Sequence, residues 1–133
     1  MINLFALFGR VLSVASVKLA ATQQPSKELK QLKTLFEETQ YMSLVIQKEL
    51  EDLIEKHDIR DEHLFADITY GACLEQMKQS FQNEFSDEVY KKIHSAQLTT
   101  STLLAMSNDL ETQIEKMTRF QARLDTMKNF FLN

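Results

Sequence analysis

The stretch that decides the fold is 103-LLAMSNDLETQIEKMTRFQARLDTMKNFF-131. Steps of three and four along it meet Leu103, Met106, Leu110, Gln113, Met117, Phe120, Leu124, Met127 and Phe131. Only Gln113 breaks the apolar line, and Ile114 beside it fills the gap. Alternating steps of three and four keep side chains on one face of an α-helix. Neither Gly nor Pro interrupts the run, and Glu115, Lys116, Arg119, Arg123 and Asp125 take the other side. The pattern predicts a long amphipathic C-terminal helix.

Composition extends that reading to the whole chain. At 133 residues it is most simply one domain, long enough to bury a core without disulfides or metals. Two glycines and one proline leave little material for tight turns and strand punctuation. Leu, Lys, Glu, Gln, Met and Ala dominate, and all favour helix. The expected fold is all-α: a bundle of four to five helices ending in a long, coiled-coil-like helix.

The helices are expected at 1–22, 26–56, 61–84 and 87–131. In the first, Leu4, Phe8, Val11, Leu12, Ala15 and Leu19 share a face, while Asn3, Arg10, Ser13 and Lys18 oppose it. No basic residue precedes its apolar part, as a secretory signal requires, and Arg10 and Lys18 interrupt a membrane span. The segment therefore reads as the first bundle helix, with a membrane-surface helix as its alternative. Gln23-Gln24-Pro25-Ser26 is the clearest break, since proline lacks an N–H and Ser26 can cap the next helix.

From Ser26 to about Glu55 the core face reads Leu29, Leu32, Phe36, Ile46, Leu50 and Leu53, with Leu35 and Met42 alongside. The run Tyr41–Ile46 is apolar nearly all round and is expected to be covered on more than one side. Asp58 or Asp61 is expected to cap the helix beginning near 61, which carries Leu64, Phe65, Ile68, Leu74, Met77, Phe81 and Phe85. Its small Gly71-Ala72 pair invites close approach by a neighbouring helix. Ser86-Asp87-Glu88 reads as a cap with two acids in the first turn. Past Thr99-Thr100-Ser101-Thr102 the apolar stripe shifts sideways. Either one helix changes its partner face there or two helices meet at a short turn; without Gly or Pro to mark a stop, the continuous helix over 87–131 is the preferred reading, nearly 70 Å long at about 1.5 Å per residue. A helix of that length needs a second chain to cover its seam, hence the expectation of a homodimer joined through Leu103, Met106, Leu110, Met117, Phe120, Leu124, Met127 and Phe131.

Little points to chemistry. His57-Asp58-Ile59-Arg60-Asp61-Glu62-His63 is rich in ligand atoms, yet it has no HExxH, no Glu-x-x-His and no glycine for a calcium loop. Gly9 and Gly71 stand alone, so no phosphate loop is present. Glu49-x-x-Asp52, preceded by Glu37-Glu38, resembles half of the acidic pattern of the all-α nucleotide pyrophosphatases, but Tyr41 stands where a third glutamate belongs. Half a carboxylate set does not make a magnesium site. The net charge of −4 removes the electrostatic basis for nucleic-acid binding. The single cysteine, Cys73, excludes an internal disulfide and fits a reducing compartment, the cytoplasm. No catalytic, cofactor or metal residues are assigned. The expected function is a non-enzymatic protein–protein interaction module: a small acidic helical adaptor, chaperone or inhibitor. A peripheral membrane protein docking through 1–22 (Leu4, Phe8, Val11, Leu12 and Leu19) comes second, and a pyrophosphatase-like enzyme third.

Overall fold

The computed structural model describes residues 26–132 with the exception of residue 66. The expected helix over 1–22, with Leu4, Phe8, Val11, Leu12 and Leu19, lies outside the described residues. What is described is mostly helical, with a long C-terminal helix.

Helix α1 (Lys27–His57) begins where Ser26, in extended backbone, accepts the Leu29 N–H at 3.0 Å. It ends at Asp58, whose left-handed backbone (φ 52°) stops the helix. Asp58 therefore closes α1 and does not open the next helix as expected.

The segment expected to be helical from 61 instead forms a short antiparallel hairpin, β1 (His63–Phe65) with β2 (Ile68–Thr69), before helix α2 (Tyr70–Ser80) begins. The start of α2 is fixed from outside. Thr69 Oγ1 accepts the Ala72 N–H at 3.1 Å, the Tyr70 N–H donates to Glu62 O, and the Gly71 N–H donates to Arg60 O at 2.9 Å. A helix through 61–69 has no room for these bonds. Gly71 is small because the connector presses on it: a Cβ there would meet Arg60 Cγ at 2.6 Å. The close neighbour is thus the 58–62 connection and not another helix.

After Ser80 the chain makes one π-helical turn, Phe81–Phe85, then kinks at Ser86 into helix α3 (Asp87–Ala96). Ser86 Oγ accepts the Val89 N–H at 3.4 Å. Helix α4 (Thr100–Leu132) comes after a break at Gln97, which is left-handed (φ 51°). The expected continuous helix over 87–131 is therefore two. Its four hydroxyl residues supply the break: Thr99 Oγ1 accepts the Thr102 N–H at 3.2 Å and bonds to the Thr102 hydroxyl at 2.9 Å. Side chains that bond their own backbone favour helix starts over helix interiors.

Partners across the helices give their directions. His57 stacks on Phe131 at 4.7 Å, and Gln121 and Lys128 both reach Glu49, so α1 and α4 run parallel and start side by side. Lys78 meets Glu51, while Phe36 meets Phe85 and Tyr90, so the α2–α3 rod returns antiparallel to α1. Gln40 clasps the bend in that rod: its amide donates to Phe85 O at 2.6 Å and to Asp87 Oδ1 at 3.0 Å. This satisfies a carbonyl that the end of a helix leaves without a partner.

The C-terminal seam is covered within the chain. Leu103, Met106, Leu110, Met117, Phe120 and Leu124 are buried, and α1 is the helix that α4 follows closely among the described elements. Met127 and Phe131 are half-buried against the same core. With 33 residues instead of about 45, α4 is paired along its length by α1. Phe120→Ala should therefore cost about 3–5 kcal/mol through lost burial and the cavity left behind. Urea unfolding at two widely different protein concentrations checks this. The loss should be the same at both, whereas a loss confined to the concentrated sample would return the seam to an interface between chains.

Candidate functional site

Helix α1 has two apolar faces of unequal fate. Its buried line runs Leu32, Phe36, Thr39, Ser43, Ile46, Leu50, Leu53 and Ile54. Thr39 and Ser43 occupy the middle of that line. Their hydroxyls are satisfied within the helix: Thr39 Oγ1 donates to Leu35 O at 2.8 Å, and Ser43 Oγ accepts from Gln47 Nε2 at 3.0 Å. Small side chains thus take the core positions, while Tyr41 (70% exposed) and Leu44 (51% exposed) face outward one turn apart. Half-buried Val45 adjoins them. Here the structure departs from the expectation that the Tyr41–Ile46 run would be covered on more than one side. The sequence carried a signal for this: three- and four-residue steps from Phe36 to Ile46 pass through Thr39 and Ser43 and miss Tyr41 and Leu44.

Leu104 and Phe130 are the other large apolar side chains found exposed among the described residues, one near each end of α4. Singly exposed apolar residues are normal on protein surfaces. Tyr41 and Leu44 differ in sharing a helix face. Glu37, Glu38 and Lys48 are exposed on the same helix, and Lys48 pairs with Asp52 at 3.4 Å.

The ionisable residues picked out in the sequence do not converge. Glu49 turns to α4, where it accepts from Gln121 Nε2 at 3.0 Å and lies 3.8 Å from Lys128 Nζ. Asp52 turns outward to Lys48, so the half-motif is split between an interface and the solvent. In the connection, His57 is stacked on Phe131, Asp58 ends α1 and His63 starts β1. His94 lies beside the Tyr90 ring at 6.2 Å. Among the described residues no three His, Cys, Asp or Glu side chains come together in a way that could hold a metal ion. No described helix is long and apolar enough to cross a membrane.

The perturbed ionisable groups have packing causes. Burial pushes the Tyr70 hydroxyl up, with Glu62 adding to it, and Tyr70 spends its proton on Met127 Sδ at 3.7 Å. Burial also pushes Tyr90 up, aided by Glu37. Cys73 is fully buried in α2 and its thiol is pushed up from 9.0 to about 12 by desolvation. A thiol held protonated behaves as a small apolar side chain and not as a nucleophile.

Comparison of the chain with protein-family models, with curated proteins and with solved structures finds no match.

Cys73 yields a direct check. The folded protein should not react with a disulfide reagent at pH 8, and one thiol should appear only on unfolding. The sign of its pH dependence is fixed as well. The folded state keeps a proton that the unfolded chain loses above pH 9.0, so stability should be insensitive to this group below 9.0 and fall as pH rises toward about 12. Rapid labelling of the native protein at pH 8 would contradict the burial.

Proposed function

We propose that this chain is a non-enzymatic protein–protein interaction module that docks partners on the outer face of α1, around Tyr41 and Leu44. The observation that carries the reading is the exchange of roles on that helix. Thr39 and Ser43 fill core positions while a tyrosine and a leucine stand in solvent. Keeping a large aromatic exposed leaves unspent the roughly 1.5–3 kcal/mol that burying such a side chain contributes. Tyrosine is a favoured anchor at interfaces because its ring is apolar and its hydroxyl remains polar. The separation of Glu49 from Asp52 supports a docking role over a pyrophosphatase-like one.

The seam on α4 belongs to the core in this reading, and the docking face moves to α1. A second copy of the chain is one partner that this face accommodates, which keeps the homodimer within the same proposal. In this reading the fold is a bundle of four to five helices working in a reducing compartment, where a lone cysteine stays a thiol.

The test replaces both outward residues, Tyr41→Ser with Leu44→Ser, in the full chain. Melting temperature and helicity should stay nearly unchanged, because neither side chain is in the core. A photo-crosslinker at residue 48 should join the wild-type protein to a discrete partner, or to a second copy, in its native cell. The double variant should lose that product. An unchanged crosslink pattern in the double variant would overturn the reading.

A further inference from the structure

Six exposed residues of α1 form one outward stripe: Lys30, Glu37, Tyr41, Leu44, Lys48 and Glu55. At about 100° per residue they fall within roughly 60° of arc around the helix axis. Tyr41 and Leu44 are at its centre, and the charges lie symmetrically outside them. Moving outward, Glu37 comes first on one side and Lys48 on the other. Lys30 and Glu55 follow. Each charge is answered by its opposite at the same distance across the centre.

An antiparallel copy of the same helix needs this arrangement. Turned end for end about a two-fold axis level with Met42 and Ser43, the stripe lies on itself. Tyr41 then faces Leu44 of the second copy, Glu37 faces Lys48, and Lys30 faces Glu55, and the axis makes every contact occur twice. Exposed Lys33, beside the stripe, comes level with Asp52 and adds a further opposite pair. Other registers fail. Sliding the axis by one helical turn sets Glu37 against Glu55 in one direction and Lys30 against Lys48 in the other. A parallel pairing sets every charge against its own kind. Like charges held face to face oppose association and select against these alternatives. A face made for an unrelated partner has no reason to complement its own reversal. Lys48 already pairs with Asp52 of its own helix, but the two side chains are 73% and 58% exposed. Exposed pairs of this kind contribute little, so Lys48 changes partner at little cost.

We propose that the partner docked on the Tyr41–Leu44 face is a second copy of this chain, bound along α1 as an antiparallel two-fold dimer. The proposal rests on the docking reading and adds the identity and register of the occupant. A small apolar centre bounded by charges makes a weak dimer, with a Kd of roughly 10–100 µM, and the charges set its register.

Charge reversal in the full chain, read by sedimentation equilibrium, tests it. Wild type should pass from monomer to dimer at concentrations around that Kd. Lys30→Glu with Lys48→Glu sets acid against acid at both charged positions of the stripe, and should weaken the dimer by at least about tenfold. Adding Glu37→Lys with Glu55→Lys to the same chain restores opposite pairs with their signs exchanged, and the dimer should return. Lys91→Glu with Lys92→Glu, both exposed on α3, changes net charge equally and should leave dimerisation as in wild type. Should the acidic variant fail to fold, Glu37→Lys with Glu55→Lys alone gives the same repulsion between bases. A wild type that stays monomeric well above that range overturns the proposal. So does a dimer indifferent to the first reversal, or one that the second does not restore. The crosslink from residue 48 separates the two readings. A product with a different protein, and none with a second copy, overturns the dimer and keeps the docking face. A product unchanged by Tyr41→Ser with Leu44→Ser overturns both.

Discussion

Three neighbouring side chains on α1 divide this protein. Glu49 is held by α4, Glu51 by α2, and Leu50 is sealed between them. The half-exposed Glu51–Lys78 pair is worth only about 0–1 kcal/mol as an ion pair. The role of the two carboxylates is directional. The leucine supplies the energy, by burial, and the flanking acids fix which surface of α1 each neighbour occupies. Because α4 runs parallel to α1, the chain must travel the full length of α1 backward before α4 can start. The hairpin, α2, the π turn and α3 make that return journey.

The return rod carries the irregular features. A π turn at Phe81–Phe85 inserts a residue relative to α-helical phase, which lets Phe85 enter the core while Phe81 stays half-buried. Ser86 then breaks the phase and caps α3, and Gln40 of α1 bonds across the bend. A rod bent at one defined point follows the surface of α1 where a straight one would diverge from it. The aromatic set Phe36, Phe85 and Tyr90 packs at that bend in tilted and edge-on contacts, arrangements that add to the value of burial alone.

Much of this was legible in the residues, and the failures share a cause. The stripe Leu103 to Leu124 has the spacing of a helix and is one; all of its members are buried. The break at Pro25-Ser26 was readable because proline and a capping hydroxyl coincide. The hairpin was not, since Leu64 and Ile68 are four apart and suit a helix as well as a strand. What decides between them is the bonding of Tyr70 and Gly71 to Glu62 and Arg60, a tertiary constraint with no periodic trace. The stop at Gln97 is similar, because a left-handed glutamine leaves no signature, although the Thr99–Thr102 hydroxyls marked the place. The exposed pair Tyr41 and Leu44 was hidden by treating every apolar residue as a core candidate. Thr39 and Ser43 sit at the core spacing, and their self-satisfied hydroxyls let them be buried.

The parallel course of α1 and α4, on which the flanking positions depend, is open to one direct measurement. Spin labels on exposed sites of the full-length protein report distances in solution. A pair at Glu55 and Asn129 should be close, since both stand at the end where His57 meets Phe131. A pair at Lys33 and Asn129 should be separated by more than about 30 Å, from some twenty residues of helix rise at about 1.5 Å each. The reverse pattern, with Lys33 near Asn129 and Glu55 remote from it, would mean that the helices run antiparallel and would contradict the account.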